Sequence, residues 1–304
     1  MGYSLTFKNK NQIIYFHRIR CTSYLTPPDY KRGGEWVDLT KIQLFPLYTE
    51  TDNIKSGSCH PQLKMTLEEI INYRRSVRHY KNIPIDTEKV KHCIELATLA
   101  PNSSNMQLWE FYHITDPEVL KKLSVACLNQ QAATTAQQLV VFVTRQDLYR
   151  KRAKEMMGLE AENVLKNSPK EKQEKRIKSW KMYYGTVMPF LYSRFAGILG
   201  MVRKIMMNIV GIFRPITYQV SENDIRVVVH KTCGLAAQTF MLAMAGESYD
   251  TCPMEGFDGR KVKSILNLPY GAEINMIISC GIRDDHGVWG DRMRIPFNEV
   301  YKRI

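Results

Sequence analysis

The sequence predicts a mixed fold of helices and strands, of the α/β or α+β class, on three observations. Helical and strand-like periodicities alternate from about residue 66 onward. The hydrophobic share, 44% of 304 residues, suffices for a sizeable core. No repeat or low-complexity tract interrupts the pattern.

The elements follow in order. Residues 1–64 are irregular, with PPDYKRGGEW and SGSCHPQ as loop chemistry, and read as an extended N-terminal arm of unknown role. Thr66 and Glu69 form a capping box in TLEE, opening a helix through INYRR with Arg74, Arg75 and Arg78 at its end. A second helix follows Asp86 and Thr87, sets Val90, Cys93, Ile94 and Ala97 on one face, and stops before Pro101. LWEFYHI (108–114) and LVVFVT (139–144) read as strands, with the helix PEVLKKLSVACL between them. Beyond Arg145 the chain is helical and basic to about 183, then apolar and rich in Gly and Met over 185–213. A long helix over about 225–247 turns Cys233, Ala236, Ala237, Phe240 and Met244 inward. The turn PMEGFD, a buried strand over 274–282 and the basic tail DRMRIPFNEVYKRI complete the domain.

The net charge of +13 favours anionic partners and says nothing about fold. Seven cysteines, at 21, 59, 93, 127, 233, 252 and 280, are scattered, with no C-x-x-C and no zinc-type spacing. They read as reduced thiols of a cytoplasmic protein, mostly small core residues, and no metal site is expected. The first twenty residues lack the apolar core of a signal peptide, and MGYSLT fits only the loose pattern for myristoylation.

Two stretches carry chemistry. RRSVRHY (74–80) concentrates three arginines with no carboxylate, while the glycine-rich nucleotide fingerprints are absent. Its guanidinium groups suit a phosphate gripped by side chains; equally, arginines in a last helical turn can serve the carbonyl end of the helix dipole. APNSSNMQLWEF (100–111) presents Asn102, Ser103, Ser104, Asn105 and Gln107 on a loop anchored by Trp109 and Phe111. Such groups suit a polar heterocycle, or an ordinary polar loop.

Taken in order, RRSVRHY, APNSSNMQLW, PMEGFD and RMRIP resemble the motifs of the nitroreductase family of FMN-dependent oxidoreductases. The resemblance covers about 66–145 and 225–304. It implies an α+β fold, a central mostly antiparallel sheet flanked by helices, over residues 65–304, with a helical insertion at about 146–224. It also implies FMN contacts from Arg74, Arg75, Ser76, Arg78, Ser103, Asn105 and Gln107, and from Asn129 as a looser match. Glu255 and Gly256 would stand near flavin N5, and Arg292 and Arg294 would reach back to the phosphate. Arg78 is the candidate for the positive group near N1/O2. The implied activity passes electrons from NAD(P)H to a nitroaromatic, quinone or similar acceptor by ping-pong kinetics, in a homodimer with FMN at the subunit interface. No catalytic acid or base is assigned, and His79 and His230 read as structural. Asn102 and Leu108 depart from the family's usual Ser and Pro.

The insertion reads either as a helical cap over the flavin or, through 185–213, as a contact with an anionic membrane surface. Arg194, Arg203 and Lys204 break the apolar run and argue against a transmembrane span, and no nucleic-acid module is visible. The alternative to an enzyme is a non-catalytic or weakly catalytic protein of this fold, serving as a basic membrane-surface or interaction module. The halotyrosine dehalogenases of the family carry Glu and Tyr one turn apart in their lid, a spacing that no Glu between 150 and 185 satisfies.

Overall fold

The computed structural model describes residues 65–304; the N-terminal arm, the myristoylation pattern, Cys21 and Cys59 lie outside the described residues. The chain runs α1 (Leu67–Tyr73), α2 (Thr87–Ala97), β1 (Trp109–Ile114), α3 (Pro117–Ala126), α4 (Gln131–Thr134), β2 (Gln138–Thr144), α5 (Tyr149–Asn167), α6 (Lys170–Met182), α7 (Met188–Tyr192) and α8 (Ile198–Phe213). It continues with α9 (Glu222–Gly246), β3 (Asp250–Met254), α10 (Gly259–Ile265), β4 (Glu273–Gly281) and α11 (Phe297–Val300).

Caps fix where the helices start. Thr66 and Glu69 form the expected box, Asp86 caps α2, Asp116 caps α3 ahead of Pro117, and Ser221 with Asp224 boxes α9. Each side chain satisfies amides that the first helical turn leaves without partners.

The four strands form one antiparallel sheet in the order β1-β2-β4-β3, so the fold is α+β with helices on both faces. Period-two alternation on β2 assigns the faces. Val140 and Phe142 pack with α2 and α9 through Val90, Cys93, Cys233, Ala237 and Phe240. Leu139, Val141 and Val143 pack with α3, α4 and α10 through Leu123, Ala126, Ala132 and Val262. The strand is buried along its whole length, as a run of apolar residues between two helical layers requires. Cys93, Cys127, Cys233, Cys252 and Cys280 are free and buried.

Two expectations are corrected. DTCPM is a strand, hidden in the sequence by Pro253; as β3 lies at the sheet's edge, the missing N–H is tolerated there. The first helix ends at Tyr73, before the arginines. Arg74 is already extended, at φ −62° and ψ 121°. The chain then leaves the helix to bridge β3, with Ser76 opposite Thr251 in a parallel contact. Pairing with an exposed strand edge overrides the helix preference of two arginines.

Residues 146–224 supply α5 to α8. Helices α5 and α7, with the π-helical turn Tyr183–Val187, build a third cluster of Ala153, Met156, Tyr184, Met188 and Tyr192 against Met106, Leu108, Ile225 and Val229. Glu273 at the start of β4 ties this region to the sheet: it accepts from Arg194 at 3.0 Å, pairs with Arg226, and lies 3.2 Å from His230.

Candidate functional site

The phosphate-gripping arginines are assembled by the two ends of the domain. Once the chain leaves α1, its last carbonyls need donors, and the tail supplies them. Arg292 donates to the carbonyls of Ile71 at 3.2 Å, Asn72 at 3.0 Å and Arg74 at 2.7 Å, while Arg283 donates to that of Tyr73 at 3.0 Å. The bland role open to Arg74 and Arg75, serving the carbonyl end of α1, thus falls to Arg292 instead. Arg283 is itself held by the buried carboxylate of Asp250, with Nε–Oδ1 at 2.8 Å, and lies 4.3 Å from the Tyr73 ring centroid.

Around this junction lies a cleft of about 280 Å³ lined by Arg74, Arg75, Ser76, Arg78, Trp289, Arg292 and Arg294. Arg75 donates to the carbonyl of Gly290 at 2.8 Å, and the Arg78 guanidinium stacks 4.6 Å over the Trp289 ring. Asp291 also lines the cleft. Yet among the described residues no carboxylate forms an ion pair with any of these five arginines. Burial, followed by the charges of Arg292 and Arg294, pushes Arg74 below the ordinary arginine value. Like charges crowded without counter-ions are unfavourable alone and fit a multiply charged anion such as a phosphate.

The turn after β3 lies on the same edge of the sheet. Glu255 and Gly256 are exposed, and neither amide donates to a main-chain acceptor among the described residues. Gln130 clasps this turn, its Nε2 donating to the carbonyls of Gly256 at 2.6 Å and Cys127 at 3.0 Å. Asn129, exposed and left-handed at φ 52°, precedes that clasp.

The polar loop lies elsewhere. Ser104, Asn105 and Gln107 all adopt left-handed backbone, at φ 52°, 49° and 46°, a conformation costing roughly 1 kcal/mol or more for a non-glycine residue. Internal bonds hold it: Asn102 accepts from the Gln107 amide at 2.9 Å and donates to Asn105 Oδ1 at 3.3 Å. Asn102, a departure from the family pattern, is therefore the loop's organiser, and Leu108, the other departure, is a buried member of the third cluster. From above, the Tyr183 hydroxyl meets Ser104 Oγ at 2.8 Å, and the Tyr184 hydroxyl donates to the Ser104 carbonyl at 3.0 Å.

Loop and cleft occupy opposite corners of the sheet. The loop enters β1 at Trp109, level with Thr144 and Glu273; Ser76 bridges Thr251, level with Cys280, beyond the other edge. Four spacings of about 4.8 Å across and seven residues of about 3.4 Å along put them roughly 31 Å apart. The fold thus gathers Arg74, Arg75, Ser76, Arg78, Arg292 and Arg294 in one cleft, with Glu255 and Gly256 on the same edge. Ser103, Asn105 and Gln107 are not brought to it within one chain.

The Nitroreductase family model matches residues 71–282. The chain belongs to the nitroreductase family. Protein DrgA of Synechocystis is 25% identical over 229 residues, covering 75% of this chain and 89% of DrgA. MhqN of Bacillus subtilis, provisionally named an NAD(P)H nitroreductase, is 24% identical over 231 residues, covering 76% and 95%. A solved protein from Exiguobacterium sibiricum, provisionally named a nitroreductase and in complex with FMN, shares the fold with a TM-score of 0.57 at 22% identity, over 80% of this chain and 99% of that one.

In this chain the sequence motifs missed Gln130, Trp289, Arg283 and the Tyr183–Tyr184 pair. Gln130 stands beside a residue that was singled out, Asn129, but its partner lies 126 positions away. No local pattern announces such a contact.

Proposed function

We propose that this nitroreductase-family chain is an FMN-dependent oxidoreductase, passing electrons from NAD(P)H to a nitroaromatic, quinone or similar small acceptor by a ping-pong mechanism. The observation that carries the reading is the cleft of five arginines that no carboxylate among the described residues pairs with. FMN held there would supply reversible hydride and electron chemistry at N5 of its ring.

The chain's own residues do the rest. Arg74 and Arg294 present guanidinium donors to the phosphate, Arg75 keeps its place through Gly290, and Arg292 holds the end of α1 so that Arg74 faces the cleft. Arg78, stacked on Trp289, adds a fixed positive charge that would favour an electron-rich ring. Glu255 and Gly256 offer main-chain amides on the same edge of the sheet, and Gln130 fixes their turn. No side chain need move a proton for this reading.

The roughly 31 Å between cleft and loop is the argument for a homodimer. A two-fold partner can bring its Ser103, Asn105 and Gln107 to this chain's cleft and complete two equivalent sites. Helices α5 to α7 would then cap each loop through Tyr183 and Tyr184. Five buried free thiols accord with a reducing, cytoplasmic setting.

The test is direct. Purified full-length protein should be yellow, release FMN on denaturation, and give parallel double-reciprocal lines with NAD(P)H and an acceptor. Colourless dimeric protein that fails to take up added FMN would overturn the reading.

A further inference from the structure

Helix α8 inverts the usual arrangement of a surface helix. Its sixteen residues are almost all apolar, yet those buried are Gly200 and Arg203. The Arg203 side chain is fully buried and laces α8 to its flanks: Nε donates to the Val220 carbonyl at 2.7 Å, and Nη1 to the carbonyls of Phe190 at 2.9 Å and Ser193 at 3.1 Å. Gly200 allows the close approach, since a Cβ there would stand 2.6 Å from the Glu222 amide nitrogen. With these two residues against the protein, helical spacing turns the opposite face outward. That face is the stripe Ile198, Met201, Ile205, Ile209 and Ile212, from 48% to 77% exposed, with Phe213 at 81%.

Charge identifies the occupant. Residues 175–221 contain no Asp or Glu. Lys204 and Arg214 are exposed on and just after the helix, and the nearest carboxylate to Lys204 is Asp224 at 4.0 Å. A two-fold contact of this face with itself would set these cations against each other without compensation. An anionic lipid surface meets both features at once, taking apolar side chains below its headgroups and cations among them. At about 1.5 Å per residue the helix is roughly 24 Å long, short of the ~20 residues a span needs, so it would lie flat.

We propose that α8 docks the protein on an anionic lipid bilayer, its Ile198–Ile212 stripe inserted at the interface and Lys204 and Arg214 among the headgroups. The insertion is thereby divided: α5 to α7 pack on the 100–107 loop, and α8 faces the membrane.

The full-length protein is sedimented with vesicles of phosphatidylcholine alone or mixed with phosphatidylglycerol, beside the variants I205E/I209E and K204E/R214E. Unchanged near-ultraviolet dichroism certifies folding, since all four side chains are exposed. The proposal expects at least tenfold stronger binding to the anionic vesicles, a loss of tenfold or more in each variant, weakening by salt, and an unchanged oligomeric state. It is overturned if the wild type ignores anionic vesicles or if both variants bind as it does. It is equally overturned if I205E/I209E changes the oligomer, which would make the stripe a contact between protein chains. None of these readouts depends on bound FMN, so the proposal and the enzymatic reading can fail separately.

Discussion

Arg292 donates from Nη2 to the main-chain carbonyl of Arg74 at 2.7 Å, so a cation from the tail finishes the helix that delivers the first cation of the cleft. One guanidinium is structural and its neighbour has no ion-pair partner among the described residues, and mutagenesis can tell them apart.

Arg74→Ala and Arg294→Ala should each weaken FMN binding by about 10- to 100-fold, for a charge-assisted contact of roughly 1.5–3 kcal/mol. The stability of the FMN-free protein should not fall, because each change removes one like charge from a crowded cluster. Arg292→Ala should instead cost both affinity and about 1–3 kcal/mol of stability, since it strips donors from three carbonyls. Flavin titration and urea unfolding of the apoprotein measure the two effects.

Asp250 pairs with Arg283, and Arg283 in turn holds the Tyr73 carbonyl. Asp250→Asn should destabilise the fold by about 3 kcal/mol, the low end for a broken buried pair because Arg283 remains partly exposed. Replacing Arg283 as well should recover part of that loss in urea unfolding.

Gln130→Ala should slow NAD(P)H-driven flavin reduction several-fold while leaving FMN affinity within about threefold, because the phosphate cleft is untouched and only the Gly256 turn is loosened. Stopped-flow reduction against flavin titration checks the split.

Burial raises the Glu273 carboxyl, but hydrogen bonds from Arg226, Arg194 and His230 override it and hold the group below its ordinary value of 4.5. A depressed carboxylate stabilises the fold fully above its unfolded value, and that contribution is lost as pH falls through the folded value. Stability should therefore decline below about pH 4.5, and Glu273→Gln should be less stable at pH 7 with a flatter acid limb. Urea unfolding at pH 7 and pH 4 tests the sign.

Much of this was legible in the sequence, and the residues show why. The capping box at Thr66 and the apolar run in 139–144 are local signals, and the structure realises them. Local signals misled where a distant partner decides. Arg74 and Arg75 are good helix formers but lie beside an exposed strand edge, and Pro253 argues against a strand unless that strand is at the edge. Arg203 looked like an interruption of an apolar run, whereas its donors join three backbone segments and turn the apolar face outward. The gathering of residues 74–78 with 289–294 was readable only through the order of motifs.

That gathering has a temporal meaning for a chain made from its N-terminus. Until residues 289–294 have left the ribosome, α1 lacks its Arg292 cap and the cleft lacks Trp289 and Arg294. A chain that stopped short of residue 289 would keep its sheet yet have no closed cleft in which to hold an anion.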